Sequence, residues 1–301
     1  MIIVRRNLRL GGEKMSWGWE IMGVNLTTLC ENTSSGFGIS GEWGLSIMVD
    51  TGEAVALLDT GFSDSLVRNA RFKEIDLKRV THVVLSHGHG DHTGGLRSLL
   101  QETHKKVNII AHPEFGGSKY SRIEKEKGDR YQYIGVPFRR EELENLGASF
   151  ILSKEPFWLN EHMVTTGEVP MLTAFEKVDQ NMYLKTKNGF VPDPLVDDQA
   201  LVIKAAKGLV IILGCAHRGM VNTMLHAREI TGEERIYAVL GGTHLIRAGE
   251  EQLRETVKKI KEFGVEKLGV SHCTGLMPAT VLAREFKDKF FFNNAGTSIE
   301  I

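Results

Sequence analysis

The chain has 301 residues, of which 42% are hydrophobic, so it is long and apolar enough to bury a substantial core in one large domain or two modest ones. Its 37 basic and 38 acidic side chains leave a formal net charge of -1. This balance provides no electrostatic footprint for nucleic acid or for an anionic membrane, and we expect a small molecule as the partner.

The three cysteines are Cys30, Cys215 and Cys273, and no CxxC spacing occurs among them. An odd number without paired spacing argues against a disulfide framework and predicts a reducing compartment, the cytoplasm. The chain has no apolar run long enough to span a membrane, and its start lacks the apolar segment and cleavage site of a signal peptide. We therefore expect neither export nor a membrane span.

The first half predicts a β-meander followed by a strand, a helix and a strand. Residues 1–22 precede the first convincing strand and are interpreted as an N-terminal extension, to which no function is assigned. In chain order, the predicted elements are the strands VNLTTLC, GLSIMVDTG and AVALLDTG, the helix FSDSLVRNARFKEIDL, the strand RVTHVVLS, the helix GGLRSLLQETH and the strand VNIIAH. This order is typical of an α/β fold.

Residues 113–165 differ from their surroundings because they are dense in charge and weakly periodic. This pattern predicts an insertion with one or two helices that lie over the surface and cover or shape a site.

The second half repeats the layout of the first without repeating its sequence. It predicts the strands QALVIKAA and LVIILG, the helix GMVNTMLHAREITG, the strand IYAVLGG, the helix EEQLRETVKKIKEFG, the strand KLGVSH and a helix that includes PATVLAREFK. Two such halves favour a helix–sheet–sheet–helix sandwich. No Pro-, Gly- or Ser-rich linker divides them, so one domain over residues 23–301 is expected.

Four ligand-type side chains follow the strand RVTHVVLS within six positions, as HGHGDH at residues 87–92. Imidazole nitrogens and carboxylates bind zinc and related divalent ions, and glycines let a short loop fold tightly enough for such groups to converge. His87 and His89 can face one ion while Asp91 and His92 face a second. We predict a metal site here rather than a polar turn capped by Asp91, and we assign Asp91 a catalytic role as well.

The HxHxDH motif resembles the signature of the metallo-β-lactamase superfamily, and the resemblance extends from about Gly23 to Ile301. It implies an αββα sandwich with a mono- or dinuclear site at one edge of the sheets, where metal-activated water attacks the substrate. Two divalent ions are expected, zinc in the first place and iron or manganese as alternatives. By the same resemblance, His272 is a metal ligand at the end of a late strand, and Asp59 orients a ligand histidine.

The middle of the motif set departs from the superfamily pattern, because no histidine stands where the third ligand of the first ion is normally found. In GCAH, His217 is the preferred ligand over Cys215, which in an apolar strand often serves only as a small hydrophobic residue. A bound Cys215 thiolate would favour zinc or iron. Cys273 is left out, since neighbours on a strand face opposite sides. The further candidates for the third ligand are Asp197, Asp198 and Glu168.

Several strings resemble one subgroup of the superfamily, which is named for a dihydropterin-transferring synthase of methanopterin biosynthesis. They are CENTSSG, TTGEVP, DDQALVI, LGCAHRGMVN, GGTHL and SHCTG. The resemblance implies a phosphorylated or pterin-like substrate and assigns His244, in GGTHL, a catalytic or substrate-contacting role. His82 and His112 are interpreted as structural or supporting histidines.

Three functions therefore stay open. The first is a metal-dependent hydrolase acting on a small phosphoester, lactone or thioester. The second is a pterin-transferring synthase, and the third is a non-catalytic, metal- or redox-responsive binding protein, which the cysteines near the ligands suggest. Nucleic-acid processing finds no support, because no basic stripe occurs.

Overall fold

A computed structural model describes residues 4–8, 16–20, 23–126 and 128–301. Within the predicted N-terminal extension, β1 (Val4–Leu8) and β2 (Ser16–Glu20) pair as an antiparallel hairpin. The remainder of that extension, residues 1–3, 9–15 and 21–22, lies outside the described residues.

The first main sheet has seven strands and contains the predicted meander. In order across the sheet they are β10 (Ala148–Leu152), β7 (Val107–Ala111), β6 (Val80–Val84), β5 (Val55–Leu58), β4 (Ser46–Asp50), β3 (Asn25–Cys30) and β19 (Ser298–Glu300). Strands β3, β4 and β5 pair antiparallel, whereas β5, β6, β7 and β10 run parallel. The carboxyl end of β6, where the HxHxDH motif begins, therefore lies in the middle of this sheet.

The second main sheet has six strands from the second half of the chain. They are β11 (Met163–Thr165), β14 (Ala200–Ala205), β15 (Gly208–Leu213), β16 (Ile236–Gly242), β17 (Lys267–Ser271) and β18 (Phe290–Phe292). Strands β15 to β18 run parallel, so the segments that follow β15, β16 and β17 leave the sheet at one edge.

Helices cover the outer face of each main sheet. The first sheet packs against α1 (Ser65–Phe72), α3 (Leu96–Thr103) and α4 (Arg140–Asn145), and the second against α5 (Met220–Thr231), α6 (Glu250–Glu262) and α7 (Leu276–Phe286). A third apolar cluster, with Val84 and Ile110 from one sheet and Leu201 and Ile212 from the other, fills the space between the sheets. This arrangement is an αββα sandwich, as predicted.

The predicted insertion at 113–165 contains strands that the sequence did not indicate. β8 (Lys119–Ile123) and β9 (Arg130–Tyr133) join β12 (Met182–Thr186) and β13 (Gly189–Pro192) in a separate four-stranded sheet. Strands β10 and β11 extend the two main sheets at their edges, and among the described residues of this segment α4 is the single α-helix. These strands are only three to five residues long, which leaves little room for the apolar alternation that indicates a strand in a sequence.

None of the helices in the described part of the chain is long and apolar enough to cross a membrane.

Candidate metal centre

The motif loop runs from the end of β6 to a single helical turn, α2 (Gly90–Thr93), and is held in place by its neighbours. Gly88 is required here because a Cβ atom at this position would lie 1.7 Å from the carbonyl oxygen of Phe115. The N–H of Gly90 donates to the carbonyl oxygen of Ile134, 2.7 Å away, which ties the loop to the segment after β9. The loop therefore keeps the shape that makes its side chains converge.

The first donor triad consists of His87, His89 and His217, all buried. His87 Nε2 lies 2.8 Å from His89 Nδ1 and 3.2 Å from His217 Nε2. His217 follows β15 of the second sheet, so the structure brings to the first pair of histidines a third one from the opposite half of the chain.

The second donor triad consists of Asp91, His92 and His272. Asp91 Oδ2 lies 3.3 Å from His272 Nε2 and 3.9 Å from His92 Nε2. It also accepts a hydrogen bond of 2.9 Å from the indole Nε1 of Trp43, whose ring centroid is 5.0 Å from that of His272. Trp43 thus contacts two members of this triad.

Cys215 lies between the two triads. Its Sγ atom is 3.1 Å from His92 Nε2, and it forms a donor group with His87 and His92 whose atoms all lie within 4.8 Å of one another. A ligand at this position can contact both cation sites.

Hydrogen bonds to Asp59 and Ser86 determine which nitrogen of two histidines is free. Asp59 is buried and adopts a positive φ of 60°, and its carboxylate accepts from the N–H and the Oγ of Ser86 and from His92 Nδ1 at 2.7 Å. Because Ser86 Oγ gives its hydrogen to Asp59, it accepts one from His87 Nδ1 at 2.9 Å. Both His87 and His92 are therefore left with Nε2 facing the centre, which is the orientation a metal ligand needs.

The pair Glu31 and Asn32 holds His272 in the same way. Asn32 Oδ1 accepts from His272 Nδ1 at 2.9 Å, and its Nδ2 donates to the His272 carbonyl oxygen at 3.2 Å. Glu31 accepts from the backbone N–H of His272 at 2.7 Å. His272 has a positive φ of 51°, a strained conformation for a residue with a side chain, and these contacts maintain it. Both residues belong to the CENTSSG string, whose residue pattern alone indicates no role for either of them.

The first triad is held in its neutral form. Burial above all, and neighbouring histidines in addition, lower the pKa values of His87 and His217 well below the usual range. Burial is also the main cause that lowers the pKa of His89 to about 3. Neutral imidazoles offer a lone pair to a cation and do not repel it.

The second triad carries charge. Burial lowers the pKa of His92, but the charges of Asp59 and Asp91 outweigh burial and raise this pKa to about 9 in the absence of a cation. Burial likewise raises the pKa of Asp91, yet His92 and His272 hold it well below its usual range, so this carboxylate is ionised.

Cys273 and His244 also lie near the centre. Cys273 was excluded because strand neighbours alternate, but the chain leaves β17 and enters a 3₁₀ turn at His272–Thr274, so both His272 and Cys273 face inward. Cys273 Sγ lies in one donor group with Cys215 and His272. His244, predicted to reach the site, forms a donor group with Cys215 and His217. Its Nε2 is 3.5 Å from Asp179 Oδ2.

The carboxylates proposed as alternative third ligands are not part of any of these donor groups. Asp198 is buried and accepts from the N–H of Arg218 at 2.9 Å, while Glu168 binds His112 at 2.9 Å on a partly exposed surface. Asp197 accepts from the N–H of Gly88 at 2.8 Å and so supports the motif loop. Among the described residues, His217, and none of these three carboxylates, is grouped with His87 and His89.

Two further predicted histidines lie away from the triads. His82 sits within β6, with its ring nitrogens near Thr81 and Asn108, and His112 is the partner of Glu168. Both have local polar partners, as expected for histidines with a structural role.

The donors fit divalent cations in spacing and in chemistry. Ligand nitrogens around a four-coordinate zinc ion at 2.0–2.1 Å are about 3.3 Å apart, close to the 3.2 Å between His87 and His217. Buried neutral imidazoles whose lone pairs face one another repel unless a cation lies between them.

The sandwich and the HxHxDH centre define the class to which the chain belongs. Residues 44–175 match the sequence profile described as the metallo-beta-lactamase superfamily. Together with a relative that is 33% identical over 81% of this chain, this match shows that the chain belongs to the metallo-β-lactamase superfamily. Membership implies binding of divalent metal, and the histidine clusters are present.

Three known proteins resemble most of the chain. A Methanocaldococcus jannaschii protein named 7,8-dihydropterin-6-methyl-4-(beta-D-ribofuranosyl)-aminobenzene-5'-phosphate synthase is 33% identical over 250 residues, which are 81% of this chain and 83% of that protein. The solved structure of Tm1679, described as a metal-dependent hydrolase of the beta-lactamase superfamily, has a TM-score of 0.78 and 31% identity, and covers 92% of this chain and 99% of its own. Zn(2+)-bound PqqB from Methylobacterium extorquens, at 12% identity and a TM-score of 0.54 with 92% and 100% coverage, shares the fold.

Proposed function

We propose that the chain is a metal-dependent enzyme that activates water against a small phosphoester, lactone or thioester. The observation that carries this proposal is the pair of donor triads with Cys215 between them. Two bound divalent ions would supply an activated water and polarise the reacting bond of the substrate.

Zinc is the proposed metal at both triads. Five histidine nitrogens and one carboxylate suit zinc, iron and manganese alike, but the thiol of Cys215 favours zinc or iron. Burial raises the pKa of Cys215, so its thiol loses a proton only when a cation binds beside it.

Two residues are proposed to act on the substrate beside the cations. The indole of Trp43 fixes Asp91, whose ionised carboxylate would hold one cation and can orient a reacting water by accepting a hydrogen bond from it. Burial lowers the pKa of His244, but Asp179 and Cys273 raise it to about 10, so its ring can present a proton and a positive charge. A cavity of about 400 Å³ beside His244 also has Lys177 and Arg247 in its wall, which supports an anionic group on the substrate.

Metal analysis and turnover test this proposal together. The purified protein is expected to bind two equivalents of zinc and to hydrolyse one of bis(4-nitrophenyl) phosphate, a γ-lactone or an acyl thioester in a zinc-dependent manner. His217→Ala should lose about one equivalent, because it removes one member of the first triad. His82→Ala is the matched control and should keep both. Two bound equivalents with no turnover of any of the three substrates would count against a hydrolase.

The second candidate is a pterin-transferring synthase, which the relative named as a dihydropterin phosphate synthase favours. In this case the cations would hold phosphate or pyrophosphate while the pterin is transferred. Release of pyrophosphate from a dihydropterin diphosphate, dependent on an aminobenzene acceptor, would support it. Hydrolysis without acceptor dependence would support the first proposal instead.

A non-catalytic, metal- or redox-responsive protein is the third candidate, and the juxtaposition of Cys215 and Cys273 favours it. Burial by itself would raise the pKa of the Cys273 thiol, but hydrogen bonds with Cys215 and His244 lower it. Bound iron with reversible colour changes and no turnover would support this function, whereas zinc-dependent turnover would exclude it.

A further inference from the structure

A cavity of about 360 Å³ opens beside the second donor triad. Trp43 and His272 line it, and Trp43 also donates to Asp91. Asp91 is partly exposed, whereas the other five members of the two triads are buried. His272, a member of the second triad, lines the cavity itself, so the cavity directly adjoins the centre.

The rim of this cavity is apolar and exposed. Four large side chains that line it come from separate parts of the chain, with exposed fractions of 56% for Trp43, 48% for Ile246, 75% for Leu276 and 48% for Phe292. Single exposed apolar residues are ordinary on a protein surface, but a convergent group around one concave opening marks a binding site. We call this cavity, with these four residues and His272, the rim pocket.

The floor of the rim pocket has few polar groups left to bind a ligand. Glu31 and Asn32 lie there, but their side chains are hydrogen-bonded to His272 and to nearby backbone groups. Among the described residues, the side chains of Thr33 and Asn294 are the polar lining groups without a hydrogen-bond partner. A ligand here would gain mainly by burying apolar surface, with one or two hydrogen bonds to orient it.

We propose that the rim pocket binds a flat apolar group, an aromatic ring, of the substrate whose reacting group lies at the donor triads. The proposal rests on the proposed function, because it needs that substrate to reach the centre from the Asp91 side. The occupant is a small molecule rather than a second copy of the chain, since the pocket is concave and continuous with the centre through Trp43 and His272. Its volume lies within the range of about 300–1,000 Å³ that is usual for small-molecule sites.

Binding of two phosphonates to the zinc-loaded protein tests the inference without any need for turnover. The probes are 1-naphthylphosphonate and methylphosphonate, which carry the same anionic group with and without an aromatic ring. Calorimetric titration should show naphthylphosphonate binding at least about tenfold more tightly, as expected when a large apolar group leaves water. Equal affinity of the two probes would overturn the proposal.

A matched pair of variants on α7 locates the ring. Leu276→Asp places a charge in the rim pocket, whereas Met277→Asp places the same charge one residue further along, at a side chain that is equally exposed at 75% and does not line the pocket. Leu276→Asp should lower the affinity for naphthylphosphonate about tenfold and change the affinity for methylphosphonate by no more than about twofold. Met277→Asp should change neither affinity. Equal effects of the two variants would contradict the assignment.

Two controls separate this inference from its alternatives. If sedimentation shows a wild-type dimer that Leu276→Asp dissociates, with naphthylphosphonate affinity unchanged, the pocket is a self-association surface and the proposal is wrong. If the ring preference and its loss in Leu276→Asp are observed but no substrate is turned over, the proposed function fails while the rim pocket stands.

Discussion

At the scale of single residues, the centre depends as much on the groups that hold the ligands as on the ligands. Asp59 and Ser86 leave Nε2 of His87 and His92 free, and Asn32 does so for His272. Such supporting contacts typically contribute 10- to 100-fold in metal affinity. The second triad should therefore respond to changes at Asn32, which is not itself a ligand.

We predict that Asn32→Leu lowers the affinity for one of two bound zinc ions by about 10- to 100-fold, because His272 loses the acceptor that orients its ring. Competition with a fluorescent chelator measures both affinities. Asn32→Asp is the comparison variant, since it keeps an oxygen for His272 Nδ1 but loses the donor to the His272 carbonyl oxygen, and it should lose less zinc affinity than Asn32→Leu. If both variants lower the affinities for both zinc ions equally, Asn32 acts on the fold and not on His272.

Asp198 gives a pH dependence whose sign follows from its burial. Burial raises the pKa of Asp198 to about 7, although the N–H of Arg218 lowers it. The folded state therefore binds this proton more tightly than the unfolded state, whose pKa is about 3.9, and stability falls as the pH rises from about 4 to about 7.

We predict that Asp198→Asn makes the metal-free protein more stable at pH 7 by up to roughly 4 kcal/mol, with little change at pH 4. Urea unfolding at several pH values measures this, and the exposed Asp288→Asn serves as control. An unchanged pH profile in Asp198→Asn would show that this carboxyl is ionised in the folded protein.

The residues that the sequence identified and those it missed differ in kind. HxHxDH places four donors in one loop, so residue type and local spacing suffice to find them. Cys273 was missed because its inward direction arises from a 3₁₀ turn with a positive φ at His272, which strand alternation does not anticipate. Glu31 and Asn32 were missed because they precede His272 by 241 and 240 residues in the chain, so no local pattern connects them to it.

At the scale of elements, the small four-stranded sheet supports the motif loop. Lys119, at the start of β8, is buried and pairs with Asp193 at 2.8 Å and with Asp197 at 2.9 Å. Asp197 in turn accepts from the N–H of Gly88. The sequence did not indicate this sheet, because its strands are only four or five residues long and are recognised by their pairing.

We predict that Lys119→Met destabilises the protein by about 3–5 kcal/mol, since it leaves two buried carboxylates without their cation. Denaturant unfolding measures the loss, and Lys187→Met at an exposed turn is the control. Adding Asp193→Asn and Asp197→Asn to Lys119→Met should recover part of the stability. A loss below about 1 kcal/mol would mean that the buried pair is not formed in solution.

At the scale of the whole molecule, both triads draw donors from both sheets. His87 and His89 follow β6 of the first sheet, whereas His217 and His272 follow β15 and β17 of the second. The sequence predicted the sandwich from its two similar halves, but it could not indicate which downstream residue meets which upstream pair, because that depends on how the two sheets pack.

We predict that chelation lowers the melting temperature and that zinc restores it, because the cations join the two sheets. At free zinc of about 100 times its Kd, each site should add about 2.7 kcal/mol to the free energy of unfolding. Differential scanning calorimetry with and without EDTA measures this. A His87→Ala, His272→Ala double variant should show a much smaller zinc effect, and an unchanged one would place the stabilising ion elsewhere.

The division of each triad between two sheets has a consequence for the newly made chain. A ribosome-bound chain that ends before Cys215 contains the whole HxHxDH motif, yet it has only two donors for each cation. Tight binding requires at least the third, so metal uptake must wait until the second sheet has been synthesised and has docked. Metal loading would thus be a late step of biogenesis, and a truncated product would be metal-free despite an intact motif.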